Sequence, residues 1–184
     1  MPHFVALLRG INVGKAKRIP MADLRALLVK LGYTNVATLL NSGNVVFRAA
    51  RGTQAKHAAN IATAIAETWQ IEVPVIVKSA QELSATVSEN LLAERATNHS
   101  QLLVVFAQDK AVLSGLGAVE SLVVSPETFL IGKNAAYLHC AGGILDSPAA
   151  AALLGKAGKA GKGVTTRNWA TVLKLQALVG EPYA

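Results

Sequence analysis

Short apolar runs alternate along the chain with stretches whose apolar residues recur every three or four positions. The two spacings predict strands and helices in turn. HFVALLRGI is a continuous apolar run and reads as a buried strand. PMADLRALLVKLG follows, with Met21, Leu24, Leu27, Leu28 and Leu31 on one helical stripe. Pro20 stands at its start and Gly32 at its end, where helices favour them. VATLL and NVVF flank the polar turn Asn41-Ser42-Gly43-Asn44 and predict a hairpin. A helix is expected from about Thr53 to Trp69, with Ala58, Ile61, Ala62, Ile65 and Trp69 on one face, and EVPVIVK is the next strand. Ser79 and Glu82 have the spacing of a capping box ahead of a helix carrying Leu83, Val87 and Leu91.

The order strand, helix, hairpin, helix, strand, helix then recurs. QLLVVFAQ reads as a strand, DKAVLSGLGAV as a short helix, and SLVVS and AAYLHC as strands joined through ETFLIGKN. Ser147-Pro148 caps a helix over AAAALLGK, GVTTR is a short strand, and NWATVLKLQALVG is a final amphipathic helix. Each half matches β-α-β-β-α-β, the split β-α-β or ferredoxin-like unit. The predicted fold is α+β, a tandem duplication of two such units with extra helices, residues 1–96 and 97–184. The halves share element order and not residues. FVALL and LLVVF are apolar at successive positions, which predicts strands covered on both faces.

Composition narrows the class. A chain of 184 residues can bury roughly 70% of its unfolded surface, so it needs no metal or disulfide to hold a core. No apolar run approaches the roughly 20 residues that span a bilayer, so no membrane partner is expected. MPHFVALLRG lacks a basic leader and a small-residue cleavage site. The single cysteine, Cys140, fits a reducing compartment, and the expected location is cytoplasmic. Charge is more telling: 18 Lys and Arg stand against 11 Asp and Glu, a formal +7. Arg9, Lys15, Lys17, Arg18 and Arg25 share their segment with Asp23 alone, and residues 147–180 contain no acid. Such patches favour anionic partners: a phosphate-bearing small molecule or nucleic acid.

LLRGINVG near the N terminus, MADLRALLVKLGYTNVATLLNSGNVVF after it and TTRNWATVLKL near the C terminus together resemble the bacterial family called domain of unknown function 1697. The resemblance implies a compact α+β protein of two related halves. It brings no established activity, cofactor or catalytic residue. Members often continue RGINVG with a second glycine, where this chain has Lys15, and GILDSPAAAALLGKAGKAGKG also departs from the family pattern.

Candidate chemistry is confined to two basic loops. Neither is a Walker motif, which needs G-x-x-x-x-G-K-[ST]. Gly10 to Gly14-Lys15 is one residue short with Ala16 in the hydroxyl position, and Gly163 follows Lys162. RGINVGKAKR nevertheless joins a strand to a helix, where free amides and cations hold phosphate. In TTRNW, Asn168 is placed to cap the last helix, with Arg167 beside the helix start. The predicted ligand-binding residues are Arg9, Asn12, Lys15, Arg167 and Asn168. The glycine-lysine repeat over 156–162 is expected to be a mobile tether. No acids cluster as D-x-D or H-E-x-x-H, and His139 and Cys140 face opposite ways on a strand, so no metal, cofactor or catalytic group is assigned. His3, His57 and His99 read as surface residues. The leading expectation is non-catalytic binding of a phosphate-bearing or polyanionic ligand. A second reading is an enzyme acting on a nucleotide or phosphoester, and a third is a self-associating module, as a homodimer.

Overall fold

The computed structural model describes residues 1–155 and 163–180. The glycine-lysine repeat expected to be mobile lies outside the described residues. The first half runs β1 (His3–Leu8), α1 (Met21–Lys30), β2 (Thr34–Leu39), β3 (Asn44–Arg48), α2 (Gln54–Trp69), β4 (Val75–Ser79) and α3 (Ala80–Ser88). The second runs β5 (Leu102–Ala107), α4 (Lys110–Ser114), β6 (Thr128–Ile131), β7 (Ala136–His139), α5 (Pro148–Leu154), β8 (Val164–Asn168) and α6 (Trp169–Gly180). The fold is mixed α+β, with two four-stranded antiparallel sheets ordered β2-β3-β1-β4 and β6-β7-β5-β8. Position by position, the two orders are the same.

Local chemistry explains where the elements stop. At the end of α1, Gly32 (φ 88°) lets the Tyr33 N–H reach Leu28 O at 3.2 Å while its own N–H bonds Val29 O at 3.0 Å. This is the six-to-one and five-to-two closure that glycine permits after a helix. Thr53 caps α2 by accepting from Lys56 N, and Ser147 caps α5 by accepting from Ala150 N.

The chain divides into two compact units: Met1–Gln81 together with the stretch from Leu175, and Glu82–Lys174. This division falls earlier than the sequence boundary at 96/97. The reason is that Glu89, just after α3, is bonded to the β6–β7 turn, while the end of α6 is bonded to β1. In the first unit, Phe4, Ala6, Leu8, Val45, Phe47 and Val77 form the sheet face that meets Leu24, Leu28, Ile61 and Ile65 of α1 and α2. In the second, Leu103, Val105, Ala136, Leu138 and Val164 pack with Leu113, Ala150 and Leu153. Each buried valine, leucine, isoleucine or phenylalanine among them contributes roughly 1.5–3 kcal/mol, and each alanine less. The opposite strand faces, Val5 and Leu7 in one unit and Val104 and Phe106 in the other, are buried too, as the unbroken apolar runs predict.

Three expectations fail locally. SLVVS is not a strand: Ser121 and Leu122 end a 3-10 stretch that follows α4, and the strand is Thr128–Ile131, inside the predicted connector. Leu91 lies beyond α3 and is exposed. His57 is not on the surface: it is 3% exposed, on the same stripe of α2 as Ile61 and Ile65.

Candidate functional site

The loop between β1 and α1 is built on an unusual backbone. Gly10, Asn12 and Gly14 have φ of 71°, 55° and 61°, with ordinary φ at Ile11 and Val13 between them, and Lys17 has φ 50°. Alternation of positive and negative φ gathers successive N–H groups on one concave side, the arrangement that receives anions. Among the described residues, no acceptor meets the N–H groups of Val13, Gly14 or Lys15.

Asn12 fixes this loop. Its Nδ2 donates to Ile19 O and to Asn41 O, each at 2.9 Å, its Oδ1 accepts from Ile19 N at 2.8 Å, and its N–H bonds Lys17 O at 3.0 Å. Short polar asparagine also tolerates the left-handed region better than most residues. Lys17 Nζ donates to Glu72 O at 2.6 Å and ties the far side of the loop down. The hairpin turn at Asn41–Asn44 supports the loop from below. Gly43 has φ 86°, and a Cβ there would lie 2.7 Å from Leu8 Cβ and 2.9 Å from Ile11 Cδ1, so glycine is required. Its carbonyl accepts from Leu8 N at 2.8 Å. Buried Asn44 donates to Leu39 O and Ser42 Oγ and holds the turn closed.

The product is an open cleft of about 240 Å³ lined by Asn12, Arg18, Ile19, Pro20, Met21 and Asn41. α1 starts at its wall. Pro20 occupies the N-cap and offers no side-chain acceptor, so the positive end of the helix has no side-chain cap from that position. Asp23 is the acid in its first turn. Lys15 and Arg18 are exposed, and Arg9 is half-buried, its guanidinium pulled below its ordinary pKa by burial.

The structure therefore gathers Arg9, Asn12 and Lys15 into one loop, with Asn12 as its internal brace. It also adds Arg18, which sequence reasoning passed over although it stands in RGINVGKAKR itself. The signal was the adjacent Ile19-Pro20, which sets Arg18 immediately before the helix start.

Arg167 and Asn168 sit at the β8–α6 junction. Asn168 Oδ1 accepts from Thr171 N at 2.9 Å and caps α6. Arg167 is 8% exposed, and its Nη1 donates to Thr165 Oγ1 at 2.9 Å and Thr166 O at 2.8 Å. Burial lowers its pKa to about 10. Register places Arg167 opposite Val104 and Thr165 opposite Phe106, away from the sheet face that meets α4 and α5.

A polar cluster invisible to motif reading lies in the second unit. Glu89 Oε1 accepts from Asn134 N at 2.9 Å, Ala135 N at 3.2 Å and Tyr137 Oη at 2.8 Å, and Oε2 accepts from Asn134 Nδ2 at 2.7 Å. Gly132 allows this approach, since a Cβ there would lie 2.5 Å from Oε1. Burial alone would raise the Glu89 pKa, but these donors outweigh it and hold the carboxyl below its ordinary value. Burial and the Glu89 contact both push the Tyr137 phenol far up. The cluster is a brace, with every carboxylate oxygen engaged.

The family profile described as "Protein of unknown function (DUF1697)" matches residues 1–137. The chain belongs to the DUF1697 family. The resemblance carried by RGINVG and NSGNVVF is thus borne out, and the matched residues include the β1–α1 loop, its cleft and the Glu89 cluster. TTRNW lies beyond the match. The DUF1697 chain is also similar to a solved structure, that of a conserved bacterial protein from Streptococcus pneumoniae. The two share 25% identity at a TM-score of 0.78, over 97% of this chain and 98% of that one. No curated protein matches the chain. No helix among the described residues is long and apolar enough to cross a membrane.

Proposed function

We propose that this DUF1697 protein binds a phosphate-bearing ligand, without catalysing a reaction on it, in the cleft between the β1–α1 loop and the start of α1. The observation that carries the reading is a concentration of donors: Arg18 on the cleft wall, a helix start there with no side chain from its N-cap, and unmet amides at Val13, Gly14 and Lys15 in the loop that continues from Asn12. Amides and helix dipole stabilise an oxyanion without reorganisation, and arginine adds a charged fork. The cleft, about 240 Å³, suits a small phosphate-bearing molecule better than a nucleic-acid strand. Its six lining side chains include no nucleophile or general base, which supports binding over turnover. In this reading Arg9 and Lys15 supply charge and Asn12 supplies shape. Arg167 and Asn168, whose polar atoms are engaged within the β8–α6 junction, act as scaffold. The shared strand order of the two sheets supports a tandem pair of ferredoxin-like units, and the lone cysteine supports a cytoplasmic setting.

Thermal-shift screening against phosphate, nucleotides, sugar phosphates, RNA and DNA at two salt concentrations tests this. Stabilisation by a phosphate-bearing small molecule is expected, weaker at high salt. Arg18→Ala should reduce affinity by about 10- to 100-fold, the range for a charged hydrogen bond of about 1.5–3 kcal/mol. Stabilisation by nucleic acid alone, with a log–log salt slope near −0.7 to −0.9 per phosphate, would move the ligand to a polymer. Unchanged binding in Arg18→Ala would remove the cleft from the reading.

A further inference from the structure

A second cleft lies at the other end of α1, where that helix stops and α2 begins. It measures about 190 Å³ and is lined by Arg51, Lys56, Asn60, Tyr33 and His57, with Leu31 and Ala49 among its apolar walls. Since α1 starts at the first cleft and ends at this one, ten residues of helix separate them, roughly 15 Å.

A short hydrogen-bond chain lies inside it. The Asn60 side chain bonds the Tyr33 hydroxyl. The Tyr33 hydroxyl lies 3.0 Å from His57 Nδ1. This contact engages Nδ1 and leaves Nε2 as the other nitrogen of the ring. That Nε2 is buried and has no hydrogen-bond partner among the described residues. His57 is 3% exposed, packed against Phe4, Phe47 and Tyr33 at ring separations of 4.8, 5.7 and 5.3 Å. A buried polar atom left without a partner costs about 1–3 kcal/mol, so its persistence calls for an explanation.

The charges around it point the same way. Arg51 and Lys56 are exposed, and neither meets a carboxylate among the described residues. The N terminus of α2, a 16-residue helix capped by Thr53, faces the same end. The carbonyls at the C-terminal end of α1 offset part of this positive field but bring no charge to match two cations. Arg51, Lys56 and Asn60 bring guanidinium, ammonium and amide donors to the lining.

We infer that this cleft is an oxyanion site, separate from the β1–α1 loop, taking a single phosphate group, free or as a monoester. Arg51 and Lys56 neutralise it, and the Tyr33–His57 pair forms the polar floor beneath. A volume near 190 Å³ admits a tetrahedral anion with some water and falls short of the roughly 300 Å³ at which drug-sized ligand sites begin.

The test uses the full chain, labelled at its histidine rings, titrated with inorganic phosphate and separately with methyl phosphate, with chloride at equal ionic strength as the control. The expected result is a saturable shift of the His57 ring-nitrogen resonances, at least tenfold weaker in the Arg51→Gln/Lys56→Gln protein. Lys56→Arg should retain binding and Arg18→Ala should leave it unchanged. Response to inorganic phosphate alone would assign free phosphate, and response to both would admit a monoester. A His57 resonance indifferent to both, or a shift that persists at equal strength in the double variant, would overturn the site. Both outcomes are independent of whether Arg18 binds a ligand at the first cleft.

Discussion

At the scale of single residues, Asn12 shows how one side chain can set a loop. It holds a left-handed φ of 55° and makes three side-chain hydrogen bonds, two across the loop to Ile19 and one to Asn41. Asn12→Ala loses both advantages, and Asn12→Gly loses the bonds alone. Urea unfolding should place Asn12→Ala about 2–4 kcal/mol below the parent and Asn12→Gly about 1 kcal/mol above the alanine variant. Equal losses in the two variants would mean that the backbone conformation contributes nothing. The sequence marks Asn12 as interesting but misassigns its task. Its partners at Ile19 and Asn41 are 7 and 29 positions away, and nothing in RGINVG announces them. His57 was legible in part: its spacing from Ile61 places it on the buried stripe, but a histidine at that position reads as surface until Tyr33 and the phenylalanines are seen around it.

At the scale of elements, helix and strand order is legible because apolar spacing is a local property. The β6 error has a physical source. SLVVS has strand-like composition, but the 3-10 stretch takes Ser121 and Leu122, and Thr128–Ile131 is the segment that pairs with β7. What composition cannot show is the bracing between elements, and Glu89 is the test of it. Four donors hold its carboxylate below the ordinary value of 4.5, so the folded state binds its proton later than the unfolded chain as pH falls. Stability from Glu89 is therefore full above about pH 4.5 and is lost as pH drops through the lowered folded value. His57 acts in a different window. Burial first, then Lys56, holds it below 6.5, so the unfolded chain takes up a proton before the folded one and stability declines once pH falls below about 6.5. Glu89→Gln should cost about 1–3 kcal/mol at pH 7, because its amide group faces N–H and O–H donors. The gap to the parent should narrow below pH 4.5, while the decline beginning near pH 6.5 persists in both proteins. A gap that stays constant down to pH 3 would show that Glu89 is not the titrating brace.

At the scale of the whole molecule, the recurring element order suggests a cut at residue 96, while the packing draws it elsewhere. The first unit takes its last element from the far end of the chain: His3 accepts from Arg48 Nε at Nε2, which places the ring proton on Nδ1, and Nδ1 donates to Val179 O at 2.9 Å. Val179 and Leu175 are buried. Residues 82–96 belong with the second unit, where Glu89 meets Asn134, Ala135 and Tyr137. A fragment of residues 1–96 therefore contains a complete β2-β3-β1-β4 sheet but lacks the end of α6, and it carries α3 without the turn that anchors it. Its stability should fall well short of what a unit with four paired strands and two helices implies, because ordering each residue costs about 1–2 kcal/mol and the missing contacts no longer offset it. The expected result is a broad thermal transition with exposed apolar surface that binds a hydrophobic dye. A sharp, reversible transition for residues 1–96 would show that the sequence repeat is also the folding unit and that the end of α6 is dispensable to β1.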